Sequence, residues 1–172
     1  MDYHGKLTAQ SLSQRHLVLY NAPGTNVSAV YVDRAANPLQ LIVEHTVYWA
    51  AFSAPEEADY VAAFLNSSAA NETIKPFQAT GLLGERHIEK KLLDLPIPTF
   101  DSKNANHRKL SELGERARVE AAGAVSHPQF PANSTLARKR AFVRKQLAGA
   151  LREIDVIVKK LLLEEAKNLS AT

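Results

Sequence analysis

Glu89-Lys90-Lys91, in the middle of the chain, has the Glu-x-Lys spacing of one half of a nuclease metal site. Such a site also needs an acid on a preceding strand, because two carboxylates share the divalent cation. The nearest upstream acids, Glu72 and Asp59, lie in predicted helical or loop context. We therefore interpret the match as a coincidence of charge-rich sequence, although a small nuclease using Glu89 and Lys91 stays open as a hypothesis.

The other residues that could do chemistry form no recognisable active site. Six histidines are spread along the chain without metal-ligand spacing: His4, His16, His45, His87, His107 and His127. Neither HExxH nor GxSxG occurs, and Gly81 and Gly84 lack the third glycine of a dinucleotide-binding fingerprint. The chain has no cysteine, which excludes disulfides and thiolate metal sites. We expect no catalytic residue, no metal site and no cofactor in this chain.

Four neighbouring residues, Arg86, His87, Lys90 and Lys91, form what we call the cationic cluster. Lysine and arginine neutralise phosphates, and arginine also donates to base edges in the grooves of DNA. A charge run by itself is more often a solvated surface. We nevertheless predict that the cationic cluster binds DNA, because the residues that follow it should hold it in place.

Those residues read Leu-Pro-Ile-Pro at positions 95–98 and are called the strap below. Each proline ring fixes its own φ angle and restricts the residue before it, so the strap should be extended and stiff. Leu95 and Ile97 are predicted to be pinned to the core. The strap would then fix the pose of the cationic cluster.

A second group of cations lies towards the C-terminus, five within eight residues. Its members are Arg138, Lys139, Arg140, Arg144 and Lys145. They fall on the polar face of a predicted amphipathic helix, and such charge runs are commonly solvated. We interpret this second group as a solvated surface.

The first half of the chain predicts strands, because it is rich in β-branched and aromatic residues between turn signals. These strands are residues 16–22, 27–33, 39–45 and 47–52. Alternation should place Tyr48 and Trp49 on opposite faces of the last strand. Ser53 and Glu56 predict a capping box for a helix that starts near Pro55.

The second half predicts helices at residues 107–125 and from residue 136 onwards. The last segment contains no proline, and its apolar residues recur with coiled-coil-like 3-4 spacing. They are Leu136, Val143, Ala150 and Ile157, together with Leu147, Ile154 and Leu161. We predict an α+β fold: a small, mostly antiparallel sheet with packed helices over residues 1–132, and one long amphipathic helix over 133–172. That helix should pack on the domain or on a partner.

Composition limits the cellular setting. The net charge of +3 permits an anionic partner without requiring one. No apolar run approaches the roughly 20 residues of a membrane helix, and the start MDYHGKLTAQ is unlike a signal peptide. With no cysteine in the chain, these features favour a cytoplasmic protein that does not associate with membranes.

Two longer stretches carry a family resemblance: HTVYWAAFSAPEEADYVAAFLNSSAANETIKPF and GERHIEKKLLDLPIPTFDSKNANHRKLSELGERA. They resemble the C-terminal target-recognition region of adenine-N6 DNA methyltransferases from restriction–modification systems. In that family a strand pair leads into a helix ending Leu-Asn-Ser. A basic Arg-His-Ile-x-Lys segment, Leu-Pro-Ile-Pro-x-Phe and a helix opened by His-x-x-Leu follow. All of these pieces occur here in order over residues 45 to 118, and ALREIDVIVKKLL resembles the family's C-terminal end.

The resemblance implies a DNA sequence-recognition domain without the catalytic half. The family's Pro-Pro-aromatic tetrapeptide is absent, with Asn37-Pro38-Leu39 as the nearest approach, and so is its Gly-rich loop for S-adenosylmethionine. Double-stranded DNA and a methyltransferase catalytic domain, in the same or a separate chain, are the implied partners. S-adenosylmethionine is expected in that missing domain.

Three functional hypotheses follow. The first is the DNA recognition domain, and the second is an interaction or structural module whose helical seam binds a partner helix or a second copy. The third is the small nuclease. Salt-dependent DNA binding separates the first from the second, and metal-dependent cleavage tests the third.

Overall fold

A computed structural model describes residues 8–21, 24, 26–36, 41–44, 47–80, 86–87, 92 and 95–170. It confirms the predicted α+β fold. A three-stranded antiparallel sheet packs on one side of a central helix, and further helices pack around the rest of that helix. Within the described part of the chain, none of the helices is long and apolar enough to cross a membrane.

The sheet consists of β1 (His16–Asn21), β2 (Ala29–Asp33) and β3 (Val47–Phe52), with β1 in the centre. Both outer strands run antiparallel to β1, so that His16 faces Asp33 on one side and Phe52 on the other. Three of the four predicted strands are therefore confirmed.

The fourth predicted strand, residues 39–45, is wrong in its described part, since residues 41–44 form no strand. Val43 is buried, so its backbone polar groups need partners. The side-chain amide of Gln10 supplies both of them: its oxygen accepts from the Val43 N–H at 2.9 Å, and its nitrogen donates to the Val43 carbonyl. A side chain thus takes the place of a neighbouring strand.

Tyr48 and Trp49 face opposite sides of the sheet, as alternation predicts. Tyr48 packs against the core, where its ring stacks on that of Tyr20 with centroids 5.3 Å apart. Trp49 is half-buried on the other face.

The central helix, α1 (Pro55–Asn66), is buried on nearly all sides. The predicted capping box is wrong, because Ala54 occupies the N-cap and no side chain caps the helix. The carbonyl of Ala54 accepts the first helical hydrogen bond from Ala58, which leaves Ser53 one residue too early to cap. Pro55 stands at the first helical position, where a missing N–H costs nothing.

The Leu-Asn-Ser motif at the end of α1 serves the fold. The Asn66 amide pairs with both backbone groups of Ala29 on β2, at 3.0 and 2.8 Å. Ser67 caps the next helix, α2 (Ser68–Ile74), by accepting from the N–H of Ala70 at 3.0 Å. Asn66 thus joins α1 to the sheet, and Ser67 sets the turn into α2.

The next long helix, α3 (Ala105–Val125), crosses α1 at very short range. A Cβ atom added to Gly114 would lie 2.3 Å from the backbone oxygen of Asp59. Ser111 donates to the Glu56 carbonyl at 2.7 Å beside this crossing. A side chain larger than hydrogen does not fit at position 114.

The predicted C-terminal helix is divided at Leu147 into α4 (Leu136–Gln146) and α5 (Ala148–Ser170). The backbone of Leu147 leaves helical geometry, with φ −80° and ψ 2°. Gly149, two residues later, has a low helix propensity, which lowers the cost of the interruption. The predicted long C-terminal helix is therefore α5, and it begins later than the sequence indicated.

The predicted seam is buried mainly along α5. Leu147, Ala150, Ile154 and Leu161 are buried, whereas Val143 and Ile157 are half-buried. Leu136 is 61% exposed, so its assignment to the seam is wrong. Leu136 is the first residue of α4, a helix without a fully buried residue, so the buried part of the seam begins at Leu147. Helix α5 packs on α1, α2 and α3 of the same chain, so the seam is covered from within.

The close crossing of α1 and α3 gives a testable prediction. Gly114→Ala should lower the free energy of unfolding by about 1–3 kcal/mol, because its methyl group forces the two helices apart. Gly123→Ala is the matched control in the same helix, since a Cβ there meets nothing within 4 Å. The control should be neutral or stabilising by up to about 1 kcal/mol through helix propensity. Urea denaturation of both variants decides this, and equal stabilities would contradict the crossing.

Candidate nucleic-acid interface

A short two-stranded ribbon carries the backbone of the first two residues of the cationic cluster. Its strands are β4 (Ala79–Thr80) and β5 (Arg86–His87), which run antiparallel with Thr80 opposite Arg86. The side chains of Arg86 and His87 lie outside the described residues, as do Lys90 and Lys91 entirely. The predicted DNA contacts of the cluster therefore stay a prediction.

The strap is pinned to the core, as predicted. Leu95 is 8% exposed, Ile97 packs against the core, and Leu92, just before the strap, is 3% exposed. The Tyr60 hydroxyl of α1 donates to the Pro98 carbonyl at 3.0 Å. The Ile97 N–H donates to the Leu95 carbonyl at 2.8 Å, which makes a tight turn around Pro96 rather than a fully extended segment.

An aromatic cluster fixes the end of the strap. The ring of Phe100 lies 5.4 Å from that of Tyr60, and the His107 ring lies 5.0 Å from Tyr60, centroid to centroid. His107 Nδ1 accepts from the N–H of Asp101 at 3.0 Å, so this ring nitrogen carries no proton. Burial lowers the pKa of His107 and outweighs the opposite effect of nearby carboxylates, including Asp101. Burial likewise raises the pKa of Tyr60, which keeps its hydroxyl protonated as a donor.

The acids considered for a nuclease site are not arranged for metal binding. Asp59 accepts both arms of the Arg118 guanidinium, at 2.9 and 3.0 Å, so its charge is already neutralised by a bidentate ion pair. Glu72 is exposed on α2, and Glu89 lies outside the described residues. Among the residues that the structure describes, no three His, Asp or Glu side chains come together as a metal site.

A polar cleft of about 250 Å³ opens between the sheet, α1 and α3. It is lined by Tyr31, Asp33, Ala36, Pro55, Glu56, Asp59, Ser111, Glu115 and Arg118. Arg118 is neutralised by Asp59 and lies over the Tyr31 ring, 4.9 Å from its centroid. The lining therefore contains four carboxylates and one paired cation, which makes the cleft unsuited to a phosphate. The cleft could not be predicted from the sequence, because the residues that line it come from distant segments of the chain.

The cations of the second group lie along α4. Arg138, Arg140, Arg144 and Lys145 are exposed, and we call these four the α4 surface. Lys139 is half-buried on the side of the helix that faces the protein.

No protein-family model matches the chain, and a search of curated proteins found none that matches its sequence. The likeness to methyltransferase recognition regions therefore depends on the motifs in the sequence itself. Two of these motifs have a structural role here: Leu-Asn-Ser joins α1 to the sheet and to α2, and Leu-Pro-Ile-Pro is tied to α1.

The buried histidine at the end of the strap predicts a pH dependence of stability. Because the pKa of His107 is lowered in the folded state, the unfolded chain binds more protons below about pH 6.5. The stability that neutral His107 contributes is complete above about pH 6.5 and is lost as the pH falls below that value. The free energy of unfolding of the native protein should therefore decrease between about pH 7 and about pH 5.

His107→Gln should flatten this part of the profile, since glutamine does not titrate. Urea denaturation at several pH values measures it, with the exposed His127→Gln as matched control. An identical slope for the His107 variant and the native protein would show that His107 is not the titrating group.

Proposed function

We propose that the chain is the DNA sequence-recognition domain of an adenine-specific DNA methyltransferase from a restriction–modification system. In this proposal it binds double-stranded DNA next to a catalytic domain, carried by the same or a separate chain. The observation that supports the proposal is the setting of Arg86 and His87, the first two residues of the cationic cluster. Their backbone forms one strand of the β4–β5 ribbon, and the buried Leu92 and the strap come after the cluster in the sequence.

A two-stranded ribbon supports DNA recognition on geometric grounds. The major groove of B-form DNA admits a two-stranded ribbon as well as a helix. A residue on such a ribbon can reach base edges, while cations next to it neutralise phosphates. Arg86 is thus proposed to contact a base, and Lys90 and Lys91 to contact the backbone.

The strap supplies the rigidity that recognition requires. A recognition residue discriminates between bases only if its backbone is held in register with the duplex. The strap is held by the buried Leu95, by the Tyr60 hydroxyl on the Pro98 carbonyl and by the Phe100 ring. Leu92, the residue after Lys91, is buried as well, so anchored residues follow the cationic cluster in the sequence.

Methyl transfer is proposed to take place in the catalytic domain, which would hold S-adenosylmethionine. The sequence of this chain contains neither the Pro-Pro-aromatic tetrapeptide nor the Gly-rich loop of that family. The nuclease alternative is disfavoured, because Asp59 is occupied by Arg118 and is not available to share a cation with Glu89.

The interaction-module alternative is disfavoured by the packing of α5. The seam residues Leu147, Ile154 and Leu161 are buried within this chain, so they cannot also bind a partner helix. An oligomer formed through the C-terminal helix would have to use its outer face, where Val156 and Leu163 are exposed.

We predict that the isolated chain binds mixed-sequence duplex DNA with a dissociation constant of about 10⁻⁴ to 10⁻⁶ M at physiological salt. Affinity should fall as salt rises from about 50 to about 200 mM, because binding releases counterions from the phosphates. Fluorescence anisotropy with a labelled duplex measures both quantities. An affinity that does not respond to salt would contradict the proposal.

We also predict that the cationic cluster selects sequence. When the chain is used to select duplexes from a randomised pool, the native protein should enrich a defined motif. Arg86→Ala should relax one position of that motif, at a cost of about 1–3 kcal/mol for the preferred site only. Lys91→Ala should instead weaken binding to all sequences alike.

Lys103→Ala, an exposed lysine beyond the strap, is the control for these variants and should leave the motif unchanged. Recovery of the same motif with the native protein and with the fourfold alanine variant of the cationic cluster would rule out this recognition segment.

A further inference from the structure

Helix α4 combines a strong positive charge with a small contribution to the core. Its sequence, LARKRAFVRKQ, has five cations and no acid. None of its residues is fully buried, and only Lys139, Phe142 and Val143 are half-buried. Packing against the core therefore does not explain the exposed cations of α4.

The exposed cations form two rows with a flat strip between them. Arg140 and Arg144 are four residues apart, and Arg138 and Lys145 are seven apart, so each pair is stacked along the helix. The strip between the rows holds Ala137 and Ala141, whose short side chains are exposed. A phosphate backbone can approach the helix closely along this strip, with cations on both sides.

Two arginines of α3 are neutralised by acidic partners, which the described residues do not provide for the α4 surface. Arg118 pairs with Asp59, and Arg116 pairs with both Glu120 and Glu153. Over the part of the chain that the structure describes, no ion pair involves a residue of the α4 surface.

Two features of the arrangement work against the stability of the free helix, although Arg144 and Lys145 lie in the last turn, where the helix dipole favours cations. Like charges four residues apart, as at Arg140 and Arg144, repel each other. Arg138 lies in the first turn, where the helix dipole favours an acid. Helix α1 has Glu56 and Glu57 in the corresponding position, whereas α4 has no acid there. A polyanion would relieve both effects at once.

The helix is nevertheless held firmly. Thr135 caps its N-terminus by accepting from the Arg138 N–H at 3.4 Å. On the inner side, the Phe142 ring lies 5.7 Å from the ring of His127 and 5.8 Å from that of Phe130. The cations of the α4 surface are therefore presented from a fixed helix.

We propose that the α4 surface binds the phosphate backbone of duplex DNA without regard to base sequence. The inference rests on the proposed function, since it assumes that duplex DNA is the polyanion this domain meets. In this proposal the cationic cluster selects the DNA sequence, and the α4 surface increases the affinity for DNA and orients the domain on the duplex. The sequence pattern alone had favoured a solvated surface. Two observations change that interpretation: α4 itself contains no acid, and within the described residues no carboxylate from elsewhere pairs with the α4 surface.

The test is a fourfold variant, Arg138→Gln, Arg140→Gln, Arg144→Gln and Lys145→Gln, titrated with a mixed-sequence duplex. Its affinity should be lower by about tenfold or more at constant salt. The slope of log K against log salt should become shallower by about 2 to 4, because each lost phosphate contact removes about 0.9. Thermal unfolding should show a stability close to that of the native protein, since relief of the repulsion between Arg140 and Arg144 is offset by the loss of two cations from the last turn.

The matched control removes the same charge elsewhere: Lys103→Gln, Lys159→Gln, Lys160→Gln and Lys167→Gln, all of them exposed. If the control loses as much affinity as the α4 variant, net charge explains the effect and the proposal fails. It also fails if the α4 variant keeps the native affinity and salt slope, or binds less DNA only because it has unfolded.

Selection from a randomised pool separates this proposal from the proposed function. An α4 variant that binds weakly but enriches the native motif supports both. A native chain that binds through α4 and enriches no motif keeps the α4 surface and overturns sequence recognition. The opposite result is a cationic-cluster variant that loses the motif together with an α4 variant that keeps the native affinity. That result would support sequence recognition and overturn the proposal for the α4 surface.

Discussion

The close crossing of α1 and α3 is the constraint on which the rest of the structure depends. One face of α3 meets α1 through four residues spaced at helical intervals: His107, Ser111, Gly114 and Arg118. Gly114 allows the backbones to touch, Ser111 donates to the Glu56 carbonyl, and Arg118 pairs with Asp59. His107 closes the end of this interface against Tyr60, the same residue whose hydroxyl holds the strap. The position of the strap therefore depends on how α3 lies on α1.

Much of the fold could be predicted because periodicity reports burial. Three strands, both long central helices, the pinned strap and the buried part of the α5 seam follow from apolar spacing and from the stiffness of proline. The α1–α3 contact could not be predicted in this way, since a face made of histidine, serine, glycine and arginine has no apolar stripe. The strand expected at residues 39–45 failed for a related reason. The buried Val43 has an apolar pattern, but a glutamine side chain occupies the place where a strand would pair.

The sequence also does not show which charged residues of the candidate interface are neutralised in the folded protein. A run of cations in a sequence does not reveal which carboxylates will neutralise it, because the partners come from far away. Arg118 pairs with an acid 59 positions away, and Arg116 pairs with one 37 positions away as well as with the neighbouring Glu120. The sequence shows that α4 contains no acid, and the structure adds that, within the described residues, no distant carboxylate pairs with the α4 surface. The residues of the cationic cluster and the strap that follows it were identified from the sequence. The β4–β5 ribbon was seen only in the structure.

Asp155 of α5 has a consequence for how the molecule is made. Its carboxylate accepts from the N–H and the hydroxyl of Ser68, both at 2.6 Å, so it completes the first turn of α2 from 87 positions away. Ribosomes deliver the chain from its N-terminus at about 5–20 residues per second, so α1, α2 and α3 exist for several seconds before α5 can cover them. Their α5-facing surface is apolar and exposed during that interval. Assembly of this core is thus completed only once α5 has emerged, and nascent chains are most vulnerable to aggregation just before that point.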